Sequence, residues 1–363
     1  MASHDIYMQR CLQLALLGAG NVAPNPMVGA VLVHDDVIIG EGYHKQYGKA
    51  HAEVNCINSV NENNRPLIEK STMYVSLEPC AHFGKTPPCA DLIIANKIPA
   101  VVIACMDNYL EVNGKGIEKL RSAGIEVTVG VLEKEAVEMN QRFFTFHQKA
   151  RPYIILKWAE SKDGKIAALL NPPSGGTFKG LEQSRLLISN EITNRLVHKW
   201  RGEETAIMVG TNTALYDNPS LTTRLWKGND PVRVLLDKNL KVPVSYHLLN
   251  GQTTTIVFNN IKNETKENIV YSKLVAGESI IRQVLEKLYQ VKIQSIIIEG
   301  GAKLLQSFID EGMWDEMRII TNKELLVSDG IPAPQIPAAT RKQEEQILSD
   351  SITYFVNPQT VLT

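Results

Sequence analysis

At 363 residues, with 44% hydrophobic and 21% charged side chains and a net charge of -1, the chain is composed like a globular protein and is long enough for two cores. Lys+Arg number 38 against 39 for Asp+Glu, which argues against a basic nucleic-acid surface and against an acidic tail, so a small-molecule substrate is expected by elimination. No window approaches the about 18 apolar residues of a membrane span, and five cysteines without disulfide-like regularity fit a reducing compartment; a cytoplasmic protein with no membrane partner is expected.

The N-terminal "MASHDIYMQRCLQLALLGAG" reads as an amphipathic helix rather than a secretory signal. "MVGAVLVHDDVIIGEGYH" follows as two apolar runs around a charged turn, the pattern of a hairpin. Next come a helix from His51, a polar surface loop "NENNRPLIEK", the strand "TMYVSLE", a helix opening near Cys89-Ala90 and the strand "AVVIACMD". A helix "IEKLRSAG" closed by Gly124, the strand "IEVTVGVL" and one helix near "EKEAVEMNQRFFTFHQKA" complete an α/β layer, predicted as a domain over 1–147. Arg151-Pro152 reads as a break, after which "RPYIILKWAES" starts a second α/β domain, predicted over 148–363. Its further strands are "TAIMVG", "PVRVLLD", "TTTIVF" and "QSIIIEGG", with helices at "NEITNRLVHKWR" and "GGAKLLQSFIDEGMW" and a Gly/Pro-rich loop at "NPPSGGTFKG".

His51, Cys80 and Cys89 supply one nitrogen and two sulfur donors, a set suited to zinc. Three protein ligands leave a fourth position open, the catalytic pattern, whereas structural zinc sites close with four. Cys89 opens a helix, where thiolate is favoured over thiol. Glu53 stands two positions from His51, so a regular helix turns it away from the metal and toward the work of a proton shuttle. His-Ala-Glu followed by Pro-Cys is the order found in zinc deaminases, whose glutamate is general acid and base without being a ligand. Cys11, Cys56 and Cys105 read instead as small buried hydrophobes.

With "PNPMVGAVLV", "GEGYH", "HAEVN" and "LEPCAHFGKTPPCADLI" in the first half, and "LKWAESKDGKIA", "VGTNTALYDNPSLTTR", "PVRVLLD" and "IIIEGGAKLLQSF" in the second, the chain resembles the bifunctional riboflavin-biosynthesis deaminase/reductases over essentially its whole length. The resemblance implies a cytidine-deaminase-like zinc domain followed by a dihydrofolate-reductase-like domain. It implies deamination of a phosphoribosylated diaminopyrimidinone, then NADPH-dependent reduction of the ribosyl group to ribityl. It implies that Asn25, His44, His82 and Lys85, which fall in the matching stretches, contact the first substrate. Ala159, Thr213 and Asp217, with Gly301, Ala302, Lys303, Leu304, Leu305, Gln306 and Ser307, match cofactor positions; Arg201, Leu221, Arg224 and Glu299 match positions facing phosphorylated substrate. Lys157 and Asp217 are the candidates for protonating the opening sugar ring. A homo-oligomer is expected.

Some stretches depart from the family pattern. Leu187 stands in "LLISN" where relatives carry an aromatic, and "LLNPPSGGTFKGLEQSR" is longer than usual. "MDNYLEVNGKG" lacks the usual Pro-Asn-Pro and "NKELLVSDGIPAP" the usual paired glycines. The competing readings are a zinc deaminase acting on a nucleic-acid base, with an accessory binding domain, and a metal-stabilised scaffold without activity.

Overall fold

The computed structural model describes residues 3–81, 83, 87–107, 114–168 and 186–360. They form two compact units, the first ending at Arg151 and the second beginning at Pro152. The division lies beyond the expected residue 147 because the last helix of the first unit runs to Lys149, anchored by buried Phe143, Phe144 and Phe146.

In the first unit, α1 (His4–Leu16) precedes the hairpin β1 (Gly29–His34) and β2 (Val37–Tyr43), then α2 (Ala52–Ser59), β3 (Thr72–Leu77), α3 (Cys89–Ala95), β4 (Ala100–Cys105), α4 (Lys115–Ser122), β5 (Glu126–Val129), α5 (Glu133–Met139) and α6 (Gln141–Lys149). The strands lie in the order β2-β1-β3-β4-β5, with β3, β4 and β5 parallel. Alternation along the strands splits the core in two: Ala30, Leu32 and Val75 pack on the face of α2 and α3, while Val31, Val33 and Tyr74 pack with Met8 and Cys11 of α1. Gly42 lets α2 lie directly on β2, since a Cβ there would stand 2.2 Å from the Cys56 nitrogen.

Two expectations change here. "NENNRPLIEK" is a 3-10 helix from Glu62 to Lys70, capped by the Asn61 side chain on the Asn64 N–H, rather than an open loop. The single helix expected near Glu133 is two, broken at Asn140, whose side chain accepts from the Met27 N–H and donates to the Met27 carbonyl, both at 2.9 Å.

The second unit contains β6 (Tyr153–Glu160), β7 (Lys165–Ala168), α7 (Glu191–Glu203), β8 (Ala206–Gly210), α8 (Thr211–Asp217), β9 (Val232–Leu236), β10 (Thr255–Asn259), β11 (Glu264–Lys266) and β12 (Ile269–Lys273). It continues with α9 (Ile280–Gln290), β13 (Ser295–Glu299), α10 (Ala302–Asp310), β14 (Glu316–Asn322), β15 (Gly330–Pro332), β16 (Thr340–Ile347) and β17 (Asp350–Val356). Ten strands form one sheet in the order β11-β12-β10-β9-β8-β13-β6-β14-β17-β16. The run from β12 to β14 is parallel, so helices must cover both faces and the central strands are apolar on both sides. In β13, Ile296 and Ile298 enter one core and Ile297 the other, each burial contributing about 1.5–3 kcal/mol. The chain lays β8, β9, β10 and β12 outward in turn, then returns to insert β13 between β8 and β6. That reversal opens a crevice at the C-terminal ends of β8 and β13, where open parallel sheets bind ligands.

Candidate functional site

In the first unit, three separate elements deliver the three donors. His51 is the N-cap residue of α2, Cys80 lies just beyond β3, and Cys89 is the first residue of α3. Their donor atoms all lie within 4.8 Å of one another, and no other such His/Cys/Asp/Glu group occurs among the described residues. His51 Nδ1 is 3.7 Å from Cys80 Sγ and 3.4 Å from Cys89 Sγ. The Cys89 backbone N–H donates to Cys80 Sγ at 3.3 Å, so the start of α3 stabilises negative charge on that sulfur. The Cys89 thiol and His51 hold the Cys80 pKa below the ordinary thiol value, while contact with Cys80 and burial push Cys89 up. One imidazole and two sulfurs this close, one of them biased toward thiolate, fit zinc.

Glu53 follows in the first turn of α2 and is 3% exposed. Burial, reinforced by the nearby Cys80 charge, raises its pKa, which favours a carboxyl that holds a proton; a bound dication acts in the opposite sense. His44 and His51 stack edge to face with centroids 5.3 Å apart. His44 Nδ1 donates to the Ala50 carbonyl at 3.1 Å, and Asn25 Nδ2 donates to His44 Nε2 at 3.1 Å, so two of the expected substrate-contact residues form one pair beside the ligand. Burial lowers the His44 pKa, consistent with a neutral ring in that tautomer. His82 and Lys85 lie outside the described residues. Cys11, Cys56 and Cys105 are buried as expected.

Glu78 is the residue that sequence reasoning passed over. Its carboxylate is 4% exposed and accepts four backbone N–H groups, those of Asp107, Gly114, Gly116 and Ile117. The available signal was the absence of a capping side chain at Gly114, the N-cap of α4.

In the second unit, the expected residues collect at the C-terminal ends of β6, β8 and β13. Glu299 and Lys157 are register partners on β13 and β6. Arg201 of α7 grips Glu299 with two hydrogen bonds, Nε to Oε1 at 3.2 Å and Nη2 to Oε2 at 2.7 Å, both residues 8% exposed. Burial alone would raise the Glu299 pKa; the Arg201 and Lys157 charges override it and hold the carboxyl at about 2. His198, fully buried one turn before Arg201, feels Arg201 and Arg224, and burial with those cations holds it down at about 4.

The loop between β13 and α10 carries Gly300 and Gly301, both at φ +76. A Cβ on Gly300 would stand 2.9 Å from the Thr213 side chain, and one on Gly301 would stand 3.3 Å from Thr213 Oγ1. The starts of α8 and α10 therefore meet at the crevice, where a side chain on either glycine would press on Thr213. Leu304 and Leu305 of the expected cofactor stretch are 9% and 0% exposed and belong to the core. Their N–H groups already bond the Gly301 carbonyl, Ser307 donates to the Lys303 carbonyl, and Gln306 is engaged with Asp310 and Gln335. Within this stretch the Leu304 and Leu305 side chains are turned into the core, while Lys303 and Ser307 are exposed. Leu221 differs likewise: at φ +53 and 3% exposed, its side chain is core, which leaves only its backbone for a substrate. Ala159 stands on β6 opposite Ile320, Asp217 ends α8 one turn beyond Thr213, and Leu187 is 71% exposed.

Fold and site together define a zinc-dependent deaminase joined to a dinucleotide-dependent reductase. Residues 1–105 match the cytidine and deoxycytidylate deaminase zinc-binding region, and residues 152–326 match the RibD C-terminal domain. The riboflavin biosynthesis protein RibD of Aquifex aeolicus is 39% identical over 361 residues, 96% of this chain and 97% of the relative. The chain belongs to the RibD family of bifunctional riboflavin-biosynthesis deaminase/reductases. The Escherichia coli RibD is 33% identical over 90% of this chain and 89% of its own. Among solved structures, the Thermotoga maritima diaminohydroxyphosphoribosylaminopyrimidine deaminase/5-amino-6-(5-phosphoribosylamino)uracil reductase superposes with a TM-score of 0.85 at 33% identity, covering 97% of this chain and 98% of that one. The first unit is thus the cytidine-deaminase-like zinc domain and the second the dihydrofolate-reductase-like, NADPH-dependent domain.

Proposed function

We propose that the first unit hydrolytically deaminates a phosphoribosylated diaminopyrimidinone, and that the second reduces the ribosyl group of the product to ribityl. His51, Cys80 and Cys89 would hold a zinc ion, which would supply the Lewis acidity that makes water a nucleophile at neutral pH. Glu53, walled in beside the ligands, takes the proton from the attacking water and gives it to the departing amine, which leaves as ammonia. Asn25 and His44 orient the pyrimidine: the pair is locked to Ala50 at one end and presents a neutral ring edge beside His51.

In the reductase, NADPH supplies the hydride. The bare Gly300-Gly301 turn beside Thr213 and the N–H groups at the start of α10 would hold its phosphates. Arg201 is committed to Glu299, so its part is to fix that carboxylate beside Lys157, and exposed Arg224 is the arginine assigned to the substrate phosphate. Lys157 or Asp217 protonates the opening sugar ring. The same reading carries a small-molecule substrate, no nucleic acid, a homo-oligomeric assembly and a cytoplasmic location.

The observation that carries the proposal is the convergence of three donors from α2, the β3 loop and α3 on one point with Glu53 buried beside it. Metal analysis together with a paired assay on one preparation tests it. One zinc per chain, ammonia release from the diaminopyrimidinone ribotide, and NADPH oxidation only with the deaminated product are expected. Deamination of single-stranded nucleic acid instead would overturn the substrate assignment, and zinc with neither activity would leave the scaffold.

A further inference from the structure

We infer that Glu78 is the positioning residue for the zinc ligand Cys80: its carboxylate clamps the ligand loop to α4, two residues from the sulfur. The Glu78 backbone still belongs to the sheet, donating to the Cys105 carbonyl at the end of β4 at 3.1 Å. Its side chain then leaves the strand direction. Oε2 accepts from Asp107 at 3.3 Å and Gly114 at 3.0 Å, and Oε1 from Gly116 at 2.9 Å and Ile117 at 3.3 Å. Gly116 and Ile117 are the second and third residues of α4, the N–H groups that a capping side chain normally satisfies, and Gly114 has none to offer. A residue from a different segment therefore caps this helix.

The clamp reaches Cys80 through Pro79. A Cβ on Gly116 would stand 2.0 Å from the Pro79 carbonyl oxygen, so α4 lies in direct backbone contact with the single residue between Glu78 and Cys80. On its other side Cys80 is fixed by α3, its carbonyl accepting from the Ala90 N–H at 3.1 Å and its sulfur from the Cys89 N–H at 3.3 Å. Cys80 is held from two directions, and only the α3 side depends on the second cysteine. With four N–H groups on its two oxygens, the carboxylate has no lone pair left for substrate or proton transfer, which excludes a second general acid. Groups that orient a ligand commonly change metal affinity or activity by about 10–100-fold when removed.

This inference rests on the zinc-deaminase reading, which the wild-type zinc content and ammonia release test separately. Glu78→Gln keeps the shape but turns an amide donor toward two of the N–H groups; Gly116→Ala keeps the carboxylate but displaces Pro79, its Cβ standing 2.0 Å from the Pro79 carbonyl oxygen, and crowds Glu78 Oε1 at 3.2 Å. Both variants should show faster loss of zinc to a chelator, by about 10–100-fold. Both should lower kcat for deamination with KM changed less than about threefold, the pattern of a displaced reacting centre rather than of weakened substrate binding. With cobalt in place of zinc, the thiolate-to-cobalt absorption should shift in the same direction in both, read at a temperature where near-ultraviolet circular dichroism shows the variant folded. If Glu78→Gln does not fold, Gly116→Ala carries the same three readouts. A folded variant with wild-type chelator kinetics, cobalt spectrum and kcat would overturn the assignment and leave Glu78 a helix cap.

Discussion

The two units place chemistry in different parts of the chain. The deaminase gathers its reactive atoms as side chains: His51, Cys80 and Cys89 come from three elements, and each is an unusual residue in an unusual spacing. The reductase gathers mostly backbone and topology: a bare Gly-Gly turn, two helix starts and the ends of parallel strands at a reversal in strand order. Side-chain sites fail outright when one atom is removed, whereas backbone sites degrade by degrees. Each variant below tests that contrast, because one activity should change and the other persist.

The largest effect belongs to the metal ligands. Cys89→Ser should leave no bound zinc after dialysis and no ammonia release above background, with substrate-dependent NADPH oxidation unchanged. Loss of both activities would show that the units are not functionally separable. Glu53→Gln comes next. It should retain one zinc and lower deamination by about 10²–10⁴-fold, the usual worth of a general acid–base group. Loss of zinc in this variant would make Glu53 a ligand and break the assignment.

The same contrast governs what could be read beforehand. His51, Glu53, Cys80 and Cys89 were legible because metal chemistry demands particular side chains, and the structure brings the three donors together. The central strands were legible because burial on both faces leaves uninterrupted apolar runs such as "SIIIE" in β13. The C-terminal strand β16 gave no such sign: "TRKQEEQI" is nearly all exposed at the sheet edge, where charge guards against pairing with another chain. Leu304 and Leu305 were assigned to the cofactor because they lie in the right stretch, but helix periodicity turns them into the core. Glu78 was hidden because its partners, from Asp107 to Ile117, are backbone groups about thirty or more residues away.

Arg201→Ala should act on stability before it acts on affinity. It strands the buried Glu299 carboxylate beside Lys157 alone, and breaking a buried pair typically costs about 3–5 kcal/mol. In the wild-type protein the Glu299 pKa is lowered to about 2 from 4.5. Its contribution is therefore fully present above pH 4.5 and lost as pH falls toward 2. Urea unfolding of the reductase unit, followed from pH 7 to pH 3, should show this acid-side loss in the wild type and a much smaller slope in Arg201→Ala. A variant as stable as wild type at pH 7 would mean that the pair is not closed in solution.

The smallest expected effect is the most direct probe of a backbone site. Gly301 sits at φ +76 with Thr213 Oγ1 placed 3.3 Å from where a Cβ would be, so Gly301→Ala adds strain and crowds the turn proposed to receive phosphate without removing any hydrogen-bonding group. With ψ at 99 the turn lies outside the left-handed helical well, and holding a non-glycine residue in so sparsely populated a region costs about 1–3 kcal/mol. Part of that cost falls on the folded enzyme and part on cofactor binding, so KM for NADPH should rise by no more than about tenfold, about 1.4 kcal/mol being one factor of ten. The rate at saturating NADPH should hold, because the proposal gives this turn the phosphate rather than the reacting carbon. Ammonia release should be unchanged. A loss in the reductase as complete as that expected of Cys89→Ser in the deaminase would show that this turn supplies an indispensable group, and the contrast between a side-chain site and a backbone site would fail.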